Sequence, residues 1–220
     1  MFSESEVNNI LDILEETYPE AACALTHGEV FELLVAVILS AQTTDKSVNI
    51  VTPALFEKYP DAQSMAGADE HELSAIIRSI GMYRTKTRHL IDMSRRLAEE
   101  YDGRVPDKYE ELIKLPGVGR KTANVVLSVG YGQQRIAVDT HVFRVANRIG
   151  LVEEKDVLKT ELALMETIPE TRWSRTHHSL IFHGRNCCEA RKPKCGVCCI
   201  AGYCKYAGLS GKPVLSCETD

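Results

Sequence analysis

From Ser3 to His183 apolar residues recur at three- and four-residue spacing, and nowhere do they alternate with polar ones over the length of a strand. That periodicity restricts the chain to helices packed on helices. Ser3 with Glu6 makes a capping-box pattern ahead of the stripe Val7, Ile10, Leu11 and Leu14, and Pro19 stops that helix. The run 30–39 is apolar on nearly all sides and predicts a central buried helix. Further helices are expected over 44–59 with a break at Pro53, from Asp69 and Glu72 to a stop at Gly81, and over 83–101. Asp107 with Glu110 opens a short one to Leu115. Others follow over 120–129, 139–149, 155–168 and 173–183. The fold class expected is all-α. Gly130-Tyr131-Gly132 is the best candidate for a domain boundary, and the residues after Ser210 have few anchors and are expected to fray.

The 220 residues suffice for one sizeable core or two small ones, and no apolar run approaches the roughly 18–20 residues of a membrane span, so no membrane partner is expected. The opening Met1-Phe2-Ser3-Glu4-Ser5-Glu6 is acidic and lacks the pattern of a secretory signal, which predicts a cytoplasmic protein. There thiols stay reduced, and six of the eight cysteines fall between Cys187 and Cys204. Such crowding points to a metal. The net charge of −5 argues at first against nucleic acid, but it is unevenly spread. Residues 1–77 carry −12, residues 78–148 carry +6 and residues 149–220 carry +1. A phosphate backbone feels the local face rather than the total, so a basic middle is compatible with DNA.

The most informative stretch is Leu115-Pro116-Gly117-Val118-Gly119-Arg120-Lys121, which runs from one short helix directly into another. Gly117 and Gly119 allow positive φ and leave backbone amides around Val118 and Arg120 uncovered at a helix N-terminus. Orphan amides and the helix dipole there favour an anion such as a DNA phosphate, without reading base sequence. Lys121 lies at the opening of the second helix beside Arg120, where both the dipole and the like charge favour the neutral, nucleophilic amine. A phosphate contact is the alternative role. Asp139 follows the apolar Ile136-Ala137-Val138 and precedes a helix, which makes it a natural N-cap.

Cys188, Cys195, Cys198 and Cys204 place four thiols within 17 consecutive residues, a length that can wrap one compact centre. Zinc and a 4Fe–4S cluster both accept four thiolates. The intervening loop bears Arg191, Lys192 and Lys194, cations suited to phosphates. His177, His178 and His183 are read as hydrogen-bonded packing residues.

The segments LPGVGRKTANVVL and IAVDTHVFRVANRIGL, with LLVAVILSAQTTDKSVN, IGMYRTKTRHL and HGRNCCEARKPKC, resemble the helix–hairpin–helix glycosylase superfamily and, within it, the endonuclease III family. The likeness spans nearly the whole chain. It implies a six-helix barrel with the hairpin (21–132), an iron–sulfur cluster domain (1–20 with 133–220) and a cleft between them. It implies that Lys121 is the nucleophile and Asp139 its catalytic partner; adenine-specific relatives of the same fold lack that lysine. The matching cysteine spacing implies a 4Fe–4S cluster on Cys188, Cys195, Cys198 and Cys204, leaving Cys187 and Cys199 outside it. Gln42 matches the residue that fills the space left by an extruded base, and Met82 stands where the family has a wedging leucine. The expected function is a bifunctional DNA glycosylase and abasic-site lyase. Its substrate is double-stranded DNA with oxidised pyrimidines or abasic sites, and it works as a monomer at the nucleoid. The rivals are a mismatch glycosylase that does not nick the strand, and a non-catalytic DNA-binding or electron-carrying iron–sulfur protein.

Overall fold

The computed structural model describes residues 2–209. Among them every regular element is helical and no strand occurs. The first helix, α1 (Glu4–Thr17), opens on the expected capping box, in which Ser3 Oγ accepts the Glu6 amide at 3.3 Å and Glu6 Oε2 accepts the Ser3 amide at 2.8 Å. Val7, Ile10, Leu11 and Leu14 form its buried stripe. The chain divides into two compact units: 24–133 form one, and the described residues on either side of that stretch form the other.

The unit 24–133 is built around α2 (Val30–Ser40), whose Phe31 and Leu33 through Leu39 are all buried. Helix α3 (Asp45–Lys58) runs unbroken through Pro53, against the expected break. A proline inside a helix removes one hydrogen bond, but Val48, Val51, Thr52 and Leu55 are buried and hold the segment helical on both sides of it. Helix α4 (Ala62–Ala66) was not anticipated; Asp61 and Ser64 cap it reciprocally. Helix α5 (Glu70–Ile76) is capped by Asp69, as expected, but ends well before Gly81. Its chain turns early because Ile77 and Ile80 both point into the core. Helix α6 (Tyr83–Glu100) is long and amphipathic. Helix α7 (Tyr109–Leu112) starts after Lys108 with no side-chain cap, so the Asp107–Glu110 box does not form, and it stops three residues short of Leu115. Leu112 and Leu115 are both buried, and a turn between them, closed by the Leu115 amide on the Leu112 carbonyl at 3.0 Å, serves that packing better than a continued helix. Helix α8 (Arg120–Tyr131) packs on α2, and Gly130 is required there: a Cβ would lie 2.9 Å from Val30 Cγ1.

The other unit contains α1, α9 (Thr140–Ile149), α10 (Val157–Thr167), α11 (Trp173–Asn186) and α12 (Lys205–Leu209). One core joins α1 to Ile136, Val138, Val142, Val145, Ile149, Leu164 and Leu180. Arginines of the α11 segment bind the C-terminal half of α1 to it. Arg172 pairs with Asp12 at 2.8 Å and Glu15 at 2.7 Å. Arg175 donates to the carbonyls of Tyr18 and Ala21, both at 2.8 Å, and to those of Glu15 and Pro19. The Glu15 carbonyl is an orphan acceptor of the helix end and the other three belong to the chain leaving it; one guanidinium supplies them all. No described helix is long and apolar enough to cross a membrane. Residues 210–220, including the expected frayed tail and Cys217, lie outside the described residues.

Removing the guanidinium leaves those half-buried carbonyls to find water. Arg175→Ala should therefore lower stability by about 2 kcal/mol in urea unfolding, with little change in the denaturant slope.

Candidate functional site

Within 24–133, the turn between α7 and α8 has the geometry the sequence pointed to, with one refinement. Gly117 takes φ +78, where an added Cβ would also meet His89 Cβ at 2.9 Å, so glycine is required on two counts. Gly119 has φ −96 and caps α8; nothing lies within 4 Å of where its Cβ would be. Its contribution is open space over the backbone rather than a left-handed turn. Val118 is buried and anchors the turn, while its amide bonds to the Leu115 carbonyl at 3.1 Å. Arg120 stacks on Tyr109, 5.5 Å from the ring centroid, and donates to its hydroxyl at 3.2 Å. Lys121 is the second residue of α8 and is exposed. The arrangement offers backbone amides, a guanidinium and an amine to one anionic ligand.

Gln42 and Met82 belong to the same unit, and both are exposed residues with positive φ, +55 and +58. Gln42 lies in the turn after α2, and Met82 immediately precedes α6. Met82 is thus a helix start, not the end of a preceding helix.

In the other unit, Asp139 caps α9 as the sequence predicted: Oδ1 accepts the amides of His141 and Val142, each at 2.8 Å. The cap engages only one carboxylate oxygen and fixes the direction of the other. Two residues on, burial holds His141 below the usual imidazole range despite the opposing pull of Asp139.

The cysteines converge. Cys195 is buried against Ala201 and Ala207, with the half-buried Cys198 and Cys204 packed on them, and Cys188 joins the main core. Arg148 links them: its guanidinium lies 3.6 Å from Cys188 Sγ and donates to the carbonyls of Glu189 and Ala190 at 2.8 and 2.7 Å. Its own carbonyl accepts the Cys204 thiol at 3.4 Å. Arg191 and Lys192 are exposed on the loop so fixed, whereas Lys194 is drawn back to Glu189 at 3.2 Å and the Asn186 carbonyl at 2.9 Å.

Sequence reasoning passed over His183. Its ring and the sulfurs of Cys187 and Cys198 have ligand atoms within 4.8 Å of one another, and Tyr18 Oη lies 3.1 Å from Nδ1, leaving Nε2 toward the sulfurs. The usable signal was the four-residue spacing from His183, in the last turn of α11, to Cys187, the residue that follows the helix. No two described cysteines form a disulfide. Hydrogen bonding to Cys187 and to Cys198, respectively, pushes the Cys198 and Cys199 thiols up to about 12, and burial raises Cys204. Thiols crowded in this way ionise together only around a cation, so the donor set fits a metal or iron–sulfur centre.

Comparison with known proteins agrees with these features. Residues 35–170 match the family described as "HhH-GPD superfamily base excision DNA repair protein". Endonuclease III of Bacillus subtilis (strain 168) is 47% identical, over 93% of this chain and 94% of its own. That of Escherichia coli (strain K12) is 43% identical, over 90% and 93%. A solved structure of a trapped endonuclease III–DNA covalent intermediate superposes with a TM-score of 0.91 at 45% identity, covering 96% of this chain and 100% of that one.

Loss of the Arg148 guanidinium removes both the loop anchors and the cation beside Cys188. Arg148→Ala should lower the iron bound per chain in protein purified without oxygen, read by metal analysis, and speed its loss to a chelator.

Proposed function

The chain belongs to the HhH-GPD superfamily of base excision DNA repair proteins, in its endonuclease III family, and on that ground we propose that it excises oxidised pyrimidines from duplex DNA and then nicks the strand at the abasic site. The observation that carries the proposal is Lys121, exposed on the first turn of α8 directly behind the Gly117–Gly119 turn and a helix start that no side chain caps. A phosphate seated on that turn brings a deoxyribose to the lysine.

In this reading the neutral Lys121 amine attacks C1′ of the damaged nucleotide. The glycosidic bond breaks and the base leaves with the bonding electron pair. The nitrogen now bonded to C1′ loses one proton, and its lone pair then opens the sugar ring by breaking the C1′–O4′ bond; O4′ takes up a proton and an iminium is left at C1′. Asp139 promotes activation of the amine and stabilises the positive charge as it develops. The iminium acidifies the C2′ proton; its removal expels the 3′ phosphate by β-elimination, and water then releases Lys121. Gln42 and Met82 occupy the space the extruded nucleotide vacates. Gly117, Val118, Gly119, Arg120, Arg191, Lys192 and Lys194 supply backbone and side-chain contacts to phosphates.

Cys188, Cys195, Cys198 and Cys204 would hold a 4Fe–4S cluster. Bound there, it supplies no bond-breaking step; it fixes the basic loop 189–194. The protein acts as a monomer in the cytoplasm, at the nucleoid.

Borohydride reduction during reaction on a thymine-glycol duplex tests this chemistry. The protein should become covalently attached to DNA, and Lys121→Gln should abolish the adduct. Base release without any adduct would instead identify a glycosylase that does not nick. Asparagine caps helices as well as aspartate does, so Asp139→Asn should leave the melting temperature nearly unchanged while lowering kcat on the order of 100-fold.

A further inference from the structure

Among the described residues, Lys86 is the most deeply buried cation whose chemistry the proposed reaction does not use, with only 3% of its surface exposed. Its ammonium donates to the carbonyls of Leu39 at 2.8 Å and Ala41 at 2.7 Å, and to Thr43 Oγ1 at 3.1 Å. Three N–H groups thus meet three oxygens, all on the end of α2 and the turn that follows it. Burial lowers its pKa, a cost the orphan carbonyls of the helix C-terminus offset.

The turn it grips is strained. Ala41 has φ −57 and ψ 115, Gln42 has φ +55, and the Thr43 amide bonds to the Ser40 carbonyl at 3.0 Å. This is a type II turn with glutamine where the geometry favours glycine. Lys86 itself sits on the first turn of α6, and its amide bonds at 3.0 Å to the carbonyl of Met82, the other non-glycine left-handed residue of this pair. The two turns are packed together: the Cβ position of Gly81 lies 3.6 Å from Thr43 Oγ1 and 3.7 Å from the Gln42 carbonyl. Left-handed backbone costs a side-chain-bearing residue about 1 kcal/mol or more, and such strain persists only where the surroundings over-determine it. Glycine at either position would relieve it and remove the side chain. Met82 is 55% exposed, so its side chain is not held there by packing.

We propose that Lys86 is a positioning residue, which locks the turn carrying Gln42 to the turn carrying Met82 so that both side chains are presented together to the gap left by an extruded nucleotide. The idea rests on the proposed DNA role of Gln42 and Met82. One buried ammonium joins two exposed probes whose sequence separation is 40 residues. Holding them as one rigid pair avoids the ordering cost each would otherwise meet on entering the stack. The effect belongs to recognition of the distorted site; phosphate contacts to undamaged duplex do not depend on it.

The test compares the affinity of the full-length protein for a duplex bearing a tetrahydrofuran abasic analogue with its affinity for the same duplex undamaged. A 2-aminopurine opposite the lesion reports filling of the stack. Lys86→Met keeps the aliphatic stem and removes the three donors; it should weaken lesion binding on the order of ten-fold while changing undamaged binding by less than about two-fold, and it should lose the 2-aminopurine signal. Thr43→Val removes one acceptor only and should give a smaller change in the same direction, which keeps the question answerable if Lys86→Met folds poorly. Gln42→Ala and Met82→Ala should act as Lys86→Met does. If these two impair lesion binding but Lys86→Met and Thr43→Val do not, the locking role is overturned and the DNA role of the pair stands. If neither Gln42→Ala nor Met82→Ala has an effect, that DNA role fails and the present proposal with it. Equal losses on damaged and undamaged duplex in the Lys86 and Thr43 variants would reduce Lys86 to a stabilising helix cap.

Discussion

A helix that stops inside a protein leaves carbonyls without partners, and one that starts there leaves amides. In a chain built of helices this constraint falls on every junction, and the residues with chemistry to offer sit at those junctions. Asp139 satisfies the start of α9 with one oxygen. Lys121 lies behind a start of α8 that no side chain caps. Lys86 closes the end of α2, Arg175 the end of α1, and Cys187 follows the last residue of α11. An end supplied by its own chain is satisfied, whereas a helix start left without a side-chain cap keeps amides and a positive dipole end suited to an anion.

The same accounting explains where strain is kept. Gly117 relieves its turn, because glycine meets a positive φ at no steric cost and its missing side chain admits His89. Gln42 and Met82 keep theirs, on exposed turns where glycine would be the stable choice. A phosphate clamp works through backbone amides and gains from having no side chain; a group that must enter the base stack works through its side chain and cannot be glycine. In the function proposed, the Gly117 turn and the turns of Gln42 and Met82 therefore resolve the same conformational demand in opposite ways, each according to which atoms would meet the ligand.

Features whose causes are local were legible in the sequence. The Ser3–Glu6 box, the Asp69 and Asp139 caps and the apolar run of α2 depend on residues within one or two turns, and each is found where expected. Features set by distant partners were not legible. Pro53 stays helical because its helix is buried; α5 ends early because Ile77 and Ile80 must turn inward. Lys86 reads in sequence as one more cation of a basic helix, since its acceptors are 43 to 47 residues away. His183 reads as a packing histidine until Cys198 and Tyr18, 15 and 165 residues distant, are placed beside it. For the candidate site, the residue types and the hairpin were visible; the left-handed turns were not, because neither position carries the glycine or asparagine that announces one.

Charge shows the same limit from another side. The excess of +6 over residues 78–148 suggests a basic face, but it is already net of the acids in that segment and not all of it is free. Arg88 pairs with Glu70 outside the segment, while Arg95 with Asp92, Arg96 with Glu100 and Lys114 with Glu111 pair within it. Lys86 faces inward. Exposed pairs of this kind are worth about 0–1 kcal/mol and open readily, so they lend long-range attraction without fixing a register on DNA. At the hairpin, by contrast, the dipole of α8, its start without a side-chain cap, Arg120 and Lys121 lie within one turn of helix, a concentration of positive field suited to fixing a register. In the function proposed, position on a helix end, more than the sum of charges, thus decides where a phosphate would bind, beside the amine expected to react.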